Sequence, residues 1–113
     1  MVIHQMRLSI NPFEKVANGV KIIESRLFDE KRRKINIGDQ MEFTCIDNPS
    51  RKIVTNVKAL YRYSNFENLF SDFSPEYFGS FSKEELLTEI GKIYSKEKQK
   101  KYGVIGIKLS LVK

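Results

Sequence analysis

Asn18-Gly19-Val20-Lys21-Ile22-Ile23-Glu24-Ser25-Arg26-Leu27 joins a helix stop to a charged strand. Gly19 supplies the left-handed residue at which helices commonly end. Ile22 and Ile23 favour an extended chain, because β-branched side chains are stiff and pack well on a pleated surface. Side chains alternate along a strand, so Glu24 and Arg26 share a face and can form a charge-assisted hydrogen bond. Lys21 has the opposite parity. It joins them only if the strand bulges near its start, or if Lys21 sits in the turn before pairing begins. On spacing alone, the simpler reading is a solvated strand face with an ordinary surface ion pair.

Working outward, residues 2–8 alternate as a first strand. Asn11-Pro12-Phe13-Glu14 reads as a helix start, with Asn11 as cap, Pro12 in the first turn and Glu14 completing a capping box. Phe13, Val16 and Ala17 form its apolar stripe, and the motif strand follows over residues 20–27. Residues 28–34 read as a charged loop or a single helical turn. Residues 41–46 are a third strand, Asp47-Asn48-Pro49-Ser50 is a turn, and residues 52–63 are the longest strand. Ile53, Thr55, Val57, Ala59, Tyr61 and Tyr63 share one of its faces. Val54 and Leu60 on the other face imply burial on both sides or a bend midway. Ser64-Asn65-Phe66-Glu67 and Ser82-Lys83-Glu84-Glu85 are capping boxes, and Ser95 caps one more turn. The helix over residues 82–94 should pack through Leu86, Ile90 and Ile93. Residues 72–80 read as an ordered loop, and residues 103–112 as the last strand.

The totals describe one domain of 113 residues, long enough for a small core. Apolar residues make up 41%, and the mean hydropathy is −0.39. The net charge is +6 and the pI about 9.5, which favours anionic partners, nucleic acid first. No apolar run reaches membrane-spanning length, and Met1-Val2-Ile3-His4 shows no signal-peptide pattern. One cysteine, Cys45, allows no internal disulfide, and with the one histidine, His4, it makes no conventional zinc site. Cys45 reads as buried and inert, and His4 as structural or surface. The expectation is a cytoplasmic protein with no metal, cofactor or membrane partner. Strands at both ends, with helices between them, fit an α+β fold: a small closed or half-closed β-barrel decorated by helices. Pairing the first and last strands would remove exposed edges. A generic α+β sandwich is the alternative.

Gly19-x-Lys21-x-x-Glu24-x-Arg26, followed by Gly38-Asp39, resembles the signature of the ASCH domain family, whose fold is similar to the PUA domains that bind RNA. The helix before the motif and the closing strand near Tyr102-Gly103-Val104-Ile105-Gly106-Ile107 fall in that family's order. The resemblance implies a PUA-like barrel and a basic cleft, built around the motif strand, that holds RNA or a modified nucleotide. It also carries an alternative, a hydrolase on a nucleoside or RNA. Some ASCH relatives remove the acetyl group from the exocyclic amine of cytidine, with a lysine and a threonine of this strand and a later glutamate. Others are reported to cut RNA. Lys21 matches the lysine. Glu24 stands where the threonine would be, and Gly79 where the later glutamate would be, with Glu76 the nearest carboxylate. Lys21 and Glu24 are thus the candidate catalytic pair.

Lys21, Glu24 and Arg26 are also the candidate ligand-binding residues. Lys31-Arg32-Arg33-Lys34 is either a solvated charged turn or a rim of cations that grips a nucleic-acid backbone. Phe70, Phe73, Tyr77, Phe78 and Phe81 read mainly as satellite core, with Tyr77 the one most expected to line the cleft. Lys96, Lys98, Lys100 and Lys101, with Glu97 among them, read as a solvated helix end.

Overall fold

A computed structural model describes residues 2–112. Over these the chain runs β1 (Ile3–Leu8), α1 (Ile10–Ala17), β2 (Ile23–Leu27), α2 (Glu30–Arg33), β3 (Gln40–Cys45) and β4 (Lys52–Tyr63). It continues through α3 (Phe66–Asp72), a 3-10 turn (Pro75–Phe78), α4 (Lys83–Gly91), α5 (Lys96–Tyr102) and β5 (Val104–Leu111). The strands make one mixed sheet in the order β1-β3-β4-β5-β2, curled into a half-barrel. Among the described residues, no helix is long and apolar enough to cross a membrane.

The first and last strands do share this sheet, but they are not neighbours. β1 pairs parallel with β3, and β5 lies between β4 and β2. The two edges are therefore β1 and β2, and side chains rather than a ladder span the seam between them. β1 turns its even-numbered carbonyls to β3, as Val2 and Leu8 show by accepting from Gln40 and Ile46. Its outward carbonyls at Gln5 and Arg7 accept from Lys31 Nζ at 2.7 Å and from Arg26 Nη2 at 3.1 Å.

Both faces of the sheet are covered, which explains the mixed pattern along β4. On the inner face Met6, Met41, Phe43, Val57, Ile105 and Ile107 pack against Phe13 and Val16 of α1. On the outer face Ile23, Leu27 and Val104 pack against Phe66, Leu69 and Phe70 of α3 and against Phe78. β4 serves both cores because its register slips between Val57 and Ala59. Val57 faces the inner core, Leu60 beyond the slip packs on it too, and Tyr61 and Tyr63 turn to the outer one. Gly106 sits where α3 crosses β5, and a Cβ there would lie 3.0 Å from Leu69 Cδ1 and 3.3 Å from Ile23 Cγ2.

Several local expectations shift. α1 begins before Asn11, with Ser9 as its cap residue, and the Ser9 side chain makes no capping bond. The Ile10 N–H instead donates to Asp47 Oδ2 at 2.7 Å, from the loop after β3. Asn65 rather than Ser64 caps α3, accepting from the Asn68 N–H. Ser82 and Ser95 cap α4 and α5 as expected, and α5 runs further than the single turn anticipated. Leu86, Leu87, Ile90 and Tyr94 pack on the outer core, whereas Ile93 is 66% exposed because α4 ends at Gly91, before it.

A cap supplied from outside the helix makes a test. Asp47→Ala should lower stability by about 1 kcal/mol, read as a lower urea midpoint with an unchanged slope. Ser9→Ala, at the cap position itself, should leave the midpoint where it is.

Candidate functional site: a buried carboxylate between two cations

The turn before β2 settles the parity question. The main-chain carbonyl of Lys15 accepts from the N–H groups of both Val20 and Lys21, at 2.9 and 3.0 Å, while Gly19 takes φ of 75°. The Ile22 N–H donates to the Tyr77 carbonyl at 2.9 Å, and the ladder proper starts at Ile23. Lys21 is thus outside the strand's alternation, and no bulge in β2 is needed. Within β2, Glu24 stands opposite Ile107 and Arg26 opposite Ile105. Direct cross-strand partners share a face, so both charges lie on the inner face, beside the core.

The three side chains meet there. Lys21 Nζ donates to Glu24 Oε1 at 2.9 Å, and Arg26 Nη2 donates to Glu24 Oε2 at 3.2 Å. The Ser25 N–H adds a bond to Oε1 at 3.0 Å. The side chain of Glu24 is only 4% exposed, that of Lys21 12% and that of Arg26 15%. Burial by itself would push the Glu24 carboxyl up. The Lys21 ammonium and the Arg26 guanidinium outweigh it, with help from the Ser25 N–H, and hold the pKa at about 2 against an ordinary 4.5. Burial likewise opposes the Arg26 charge, yet Glu24 and the Tyr94 hydroxyl raise its pKa.

This triad lies in a cleft of about 660 Å³ between α1 and α4. Arg7 and Lys15 add two more cations to the wall, and Lys15 Nζ donates to the Gly79 carbonyl at 2.7 Å. Phe78, Leu86, Ile90 and Tyr94 supply an apolar wall, and Glu85 and Glu89 of α4 add carboxylates. Gly79 has φ of 80°, and a Cβ there would lie 3.1 Å from Lys15 Cδ and 3.2 Å from Lys21 Cβ. The bare turn at 79 lets both lysines reach the cleft.

The basic run after β2 divides its side chains. Lys31 crosses the seam to Gln5, and burial together with Arg32 and Arg26 pulls its pKa down. Arg32 pairs with Asp29, the cap of α2, at 2.8 Å, and its buried Nε has no protein partner among the described residues. Arg33 lies over the Phe28 ring at 4.5 Å, and Lys34 is exposed. Two of the four thus hold the structure together. Tyr77 does not line the cleft. The 3-10 turn buries Phe78 in the cleft wall and leaves Tyr77 45% exposed and outside the lining, while its main-chain carbonyl accepts from the Ile22 N–H. Phe70, Phe73 and Phe78 form the satellite core, while Phe81 is 94% exposed.

Asp39 of the Gly38-Asp39 turn is a clamp outside the cleft. Its carboxylate contacts His4 Nε2 at 2.8 Å and accepts from the Asn36 and Val2 N–H groups, and these bonds, that to His4 first, lower its pKa. Cys45 is buried and free, and among the described residues no cluster of His, Cys, Asp and Glu is placed to hold a metal ion. Arg7 and Lys15 are cleft residues that the sequence did not single out. Lys15 could have been found from the helix that Gly19 ends, since it lies on the turn nearest Lys21.

Three solved structures share this arrangement of elements. The hypothetical protein PH0355 is 32% identical, with a TM-score of 0.87 over 98% of this chain and 100% of that one. Protein PF0455 from Pyrococcus furiosus is 31% identical, with a TM-score of 0.76 over 99% of each chain. A mutant of ZmASCH from Zymomonas mobilis is 12% identical, with a TM-score of 0.68 over 96% of this chain and 67% of that one. This chain belongs to the family of the two hypothetical proteins, and its fold is ASCH-like. No family model and no curated protein matches the sequence. Gly79, where the sequence resemblance implied a glutamate, packs against both lysines, and Glu76 is exposed outside the cleft lining.

The depressed Glu24 carboxyl makes the domain acid-sensitive in a stated window. Its folded pKa lies below the unfolded value, so its contribution is fully present above about pH 4.5 and is lost as pH falls toward about 2. The contribution is about 3 kcal/mol. Glu24→Gln should lower stability at neutral pH and flatten the profile between those limits. A wild-type unfolding midpoint that stays constant across that window would contradict the buried ion triad.

Proposed function

We propose that this ASCH-like domain is a binding module for RNA or a nucleotide, with the phosphate held by Lys15, Lys21 and Arg26 and the base resting on the apolar wall. The observation that carries this reading is the ionised, buried Glu24 fixed between Lys21 and Arg26 on the floor of the cleft. A carboxylate that stays charged there holds both cations in place before a ligand arrives, so little side-chain freedom is lost on binding. With Arg7 and Lys15, the four cations of the lining outnumber its three carboxylates, Glu24, Glu85 and Glu89. Arg26 presents a planar fork suited to phosphate oxygens, and Lys21 a point charge. Lys31, Arg33 and Lys34 continue the positive surface away from the cleft. Glu24 positions the cations rather than touching the anion.

A hydrolase of the acetylcytidine kind would use Lys21 with a second acid–base group. Gly79 carries no side chain at the aligned place, and this favours the module over the enzyme.

The reading predicts affinity for single-stranded RNA that falls steeply with salt, because phosphate neutralisation releases counterions. Lys15→Met keeps the aliphatic stem and removes the charge. It should weaken binding across sequences and reduce the slope of log K against log salt by about 1. Absence of binding to RNA or nucleotides at low salt would reject the module. Turnover of acetylated cytidine that disappears in Lys21→Ala would replace it with the hydrolase.

A further inference from the structure

A second pocket of about 540 Å³ opens where β2 leads into α2 and β4 ends, away from the Glu24 cleft. Phe28, Arg62, Tyr63 and Tyr102 form its walls, with Ser64 and Asn68 at the edge. Three aromatic rings border it. Arg62 is the sole charged side chain in its lining, and no carboxylate lines it among the described residues. Phe28 packs inward on the inner core, and the Arg62 guanidinium lies over its ring at 4.1 Å. Arg33 approaches the same ring, and Lys101 lies 5.1 Å from the Tyr102 ring. Tyr63 is held by a 2.5 Å bond from its hydroxyl to Asp72 Oδ2. Gly103, at φ of 72°, leaves the floor open, since a Cβ there would stand 3.2 Å from the Tyr63 carbonyl.

Fixed aromatic rings beside exposed guanidinium groups, with no carboxylate in the lining, suit a stacked base and its phosphate. A guanidinium 4.1 Å from the centre of the Phe28 ring has a second side free to meet a base. The two pockets are linked by α2. Lys31 on that turn reaches the seam beside Arg26 and Arg7, while Arg33 reaches Phe28.

We propose that the Phe28–Arg62–Tyr63–Tyr102 pocket is a second nucleotide subsite, taking a further base of a single RNA strand that runs from the Glu24 cleft over the cations of α2. This deepens the binding-module reading and rests on it for the strand's path. The ligand is then an oligonucleotide rather than a lone nucleotide. Sequence preference is weak at the second subsite, since stacking accepts every base.

The test uses the intact domain with a mixed-sequence single strand of about ten nucleotides, within the span of single-strand sites, and a dinucleotide of the same composition. Backbone amide shifts should move at residues 62–64, 68 and 102–104 as well as around the cleft with the longer probe, but around the cleft alone with the dinucleotide. The longer strand should bind at least about tenfold tighter. Arg62→Gln should remove about threefold from the longer strand, the size of one cation–π contact, and leave the dinucleotide unchanged. Shift changes confined to the cleft with both probes overturn the second subsite, as does an Arg62→Gln effect equal on both. Changes at the second pocket without any in the cleft reject the cleft and, with it, the strand path proposed here. No change anywhere rejects both.

Discussion

One anion organises the molecule. Glu24 is an ionised carboxylate placed against the apolar core, where a lone charge would be untenable. It is stable because two cations and a backbone N–H meet it from three directions. Each partner is fixed by a different part of the fold: Lys21 by the turn off α1, Arg26 by the strand ladder, and the Ser25 N–H by Glu24's own backbone. Removing any one leaves the others buried and short of a partner. A site held this way is rigid, and rigidity is what an anion-binding cleft needs from its floor.

Arg26 has a second task that ties the site to the architecture. It donates to Glu24 and also to the Arg7 carbonyl on the opposite edge of the sheet. Lys31 makes the parallel contact to Gln5. The half-barrel is laced along its open seam by Arg26, which borders the cleft, and by Lys31 beyond it. Gly79 and Gly106 serve the arrangement from behind: one lets the lysines approach, and the other lets α3 settle on the sheet.

Much of this was legible in the chain. The turn at Gly19, the pairing of Glu24 with Arg26 and the capping serines 82 and 95 follow from local rules of capping and alternation, and the α+β half-barrel from the order of strands and helices and the family resemblance. What escaped was decided by partners distant in sequence. Asp47 caps a helix from another loop, so nothing near Asn11 could reveal it. The neighbours of β1 are a matter of topology, and alternation says only that β1 is a strand. Tyr77 and Phe78 are adjacent aromatics, and the phase of a short 3-10 turn chose which faced inward. The basic run 31–34 looked uniform because composition does not show that two of its members hold a carboxylate and a carbonyl of this same chain.

The placement of β2 also bears on the order in which the protein forms. Among the described residues its ladder partner is β5 alone, with Glu24 opposite Ile107 and Arg26 opposite Ile105. β3 and β4 can meet early across a short turn, whereas β2 must wait for a strand far along the chain, a contact with a slow closure. Until then Ile22, Ile23 and Leu27 form an unpaired, apolar, β-prone stretch of the sort that recruits other chains. Lys21, Glu24 and Arg26 interrupt it at short intervals, as charged gatekeepers do. The charges that later form the floor of the cleft therefore keep a nascent strand soluble while its partner is still being made.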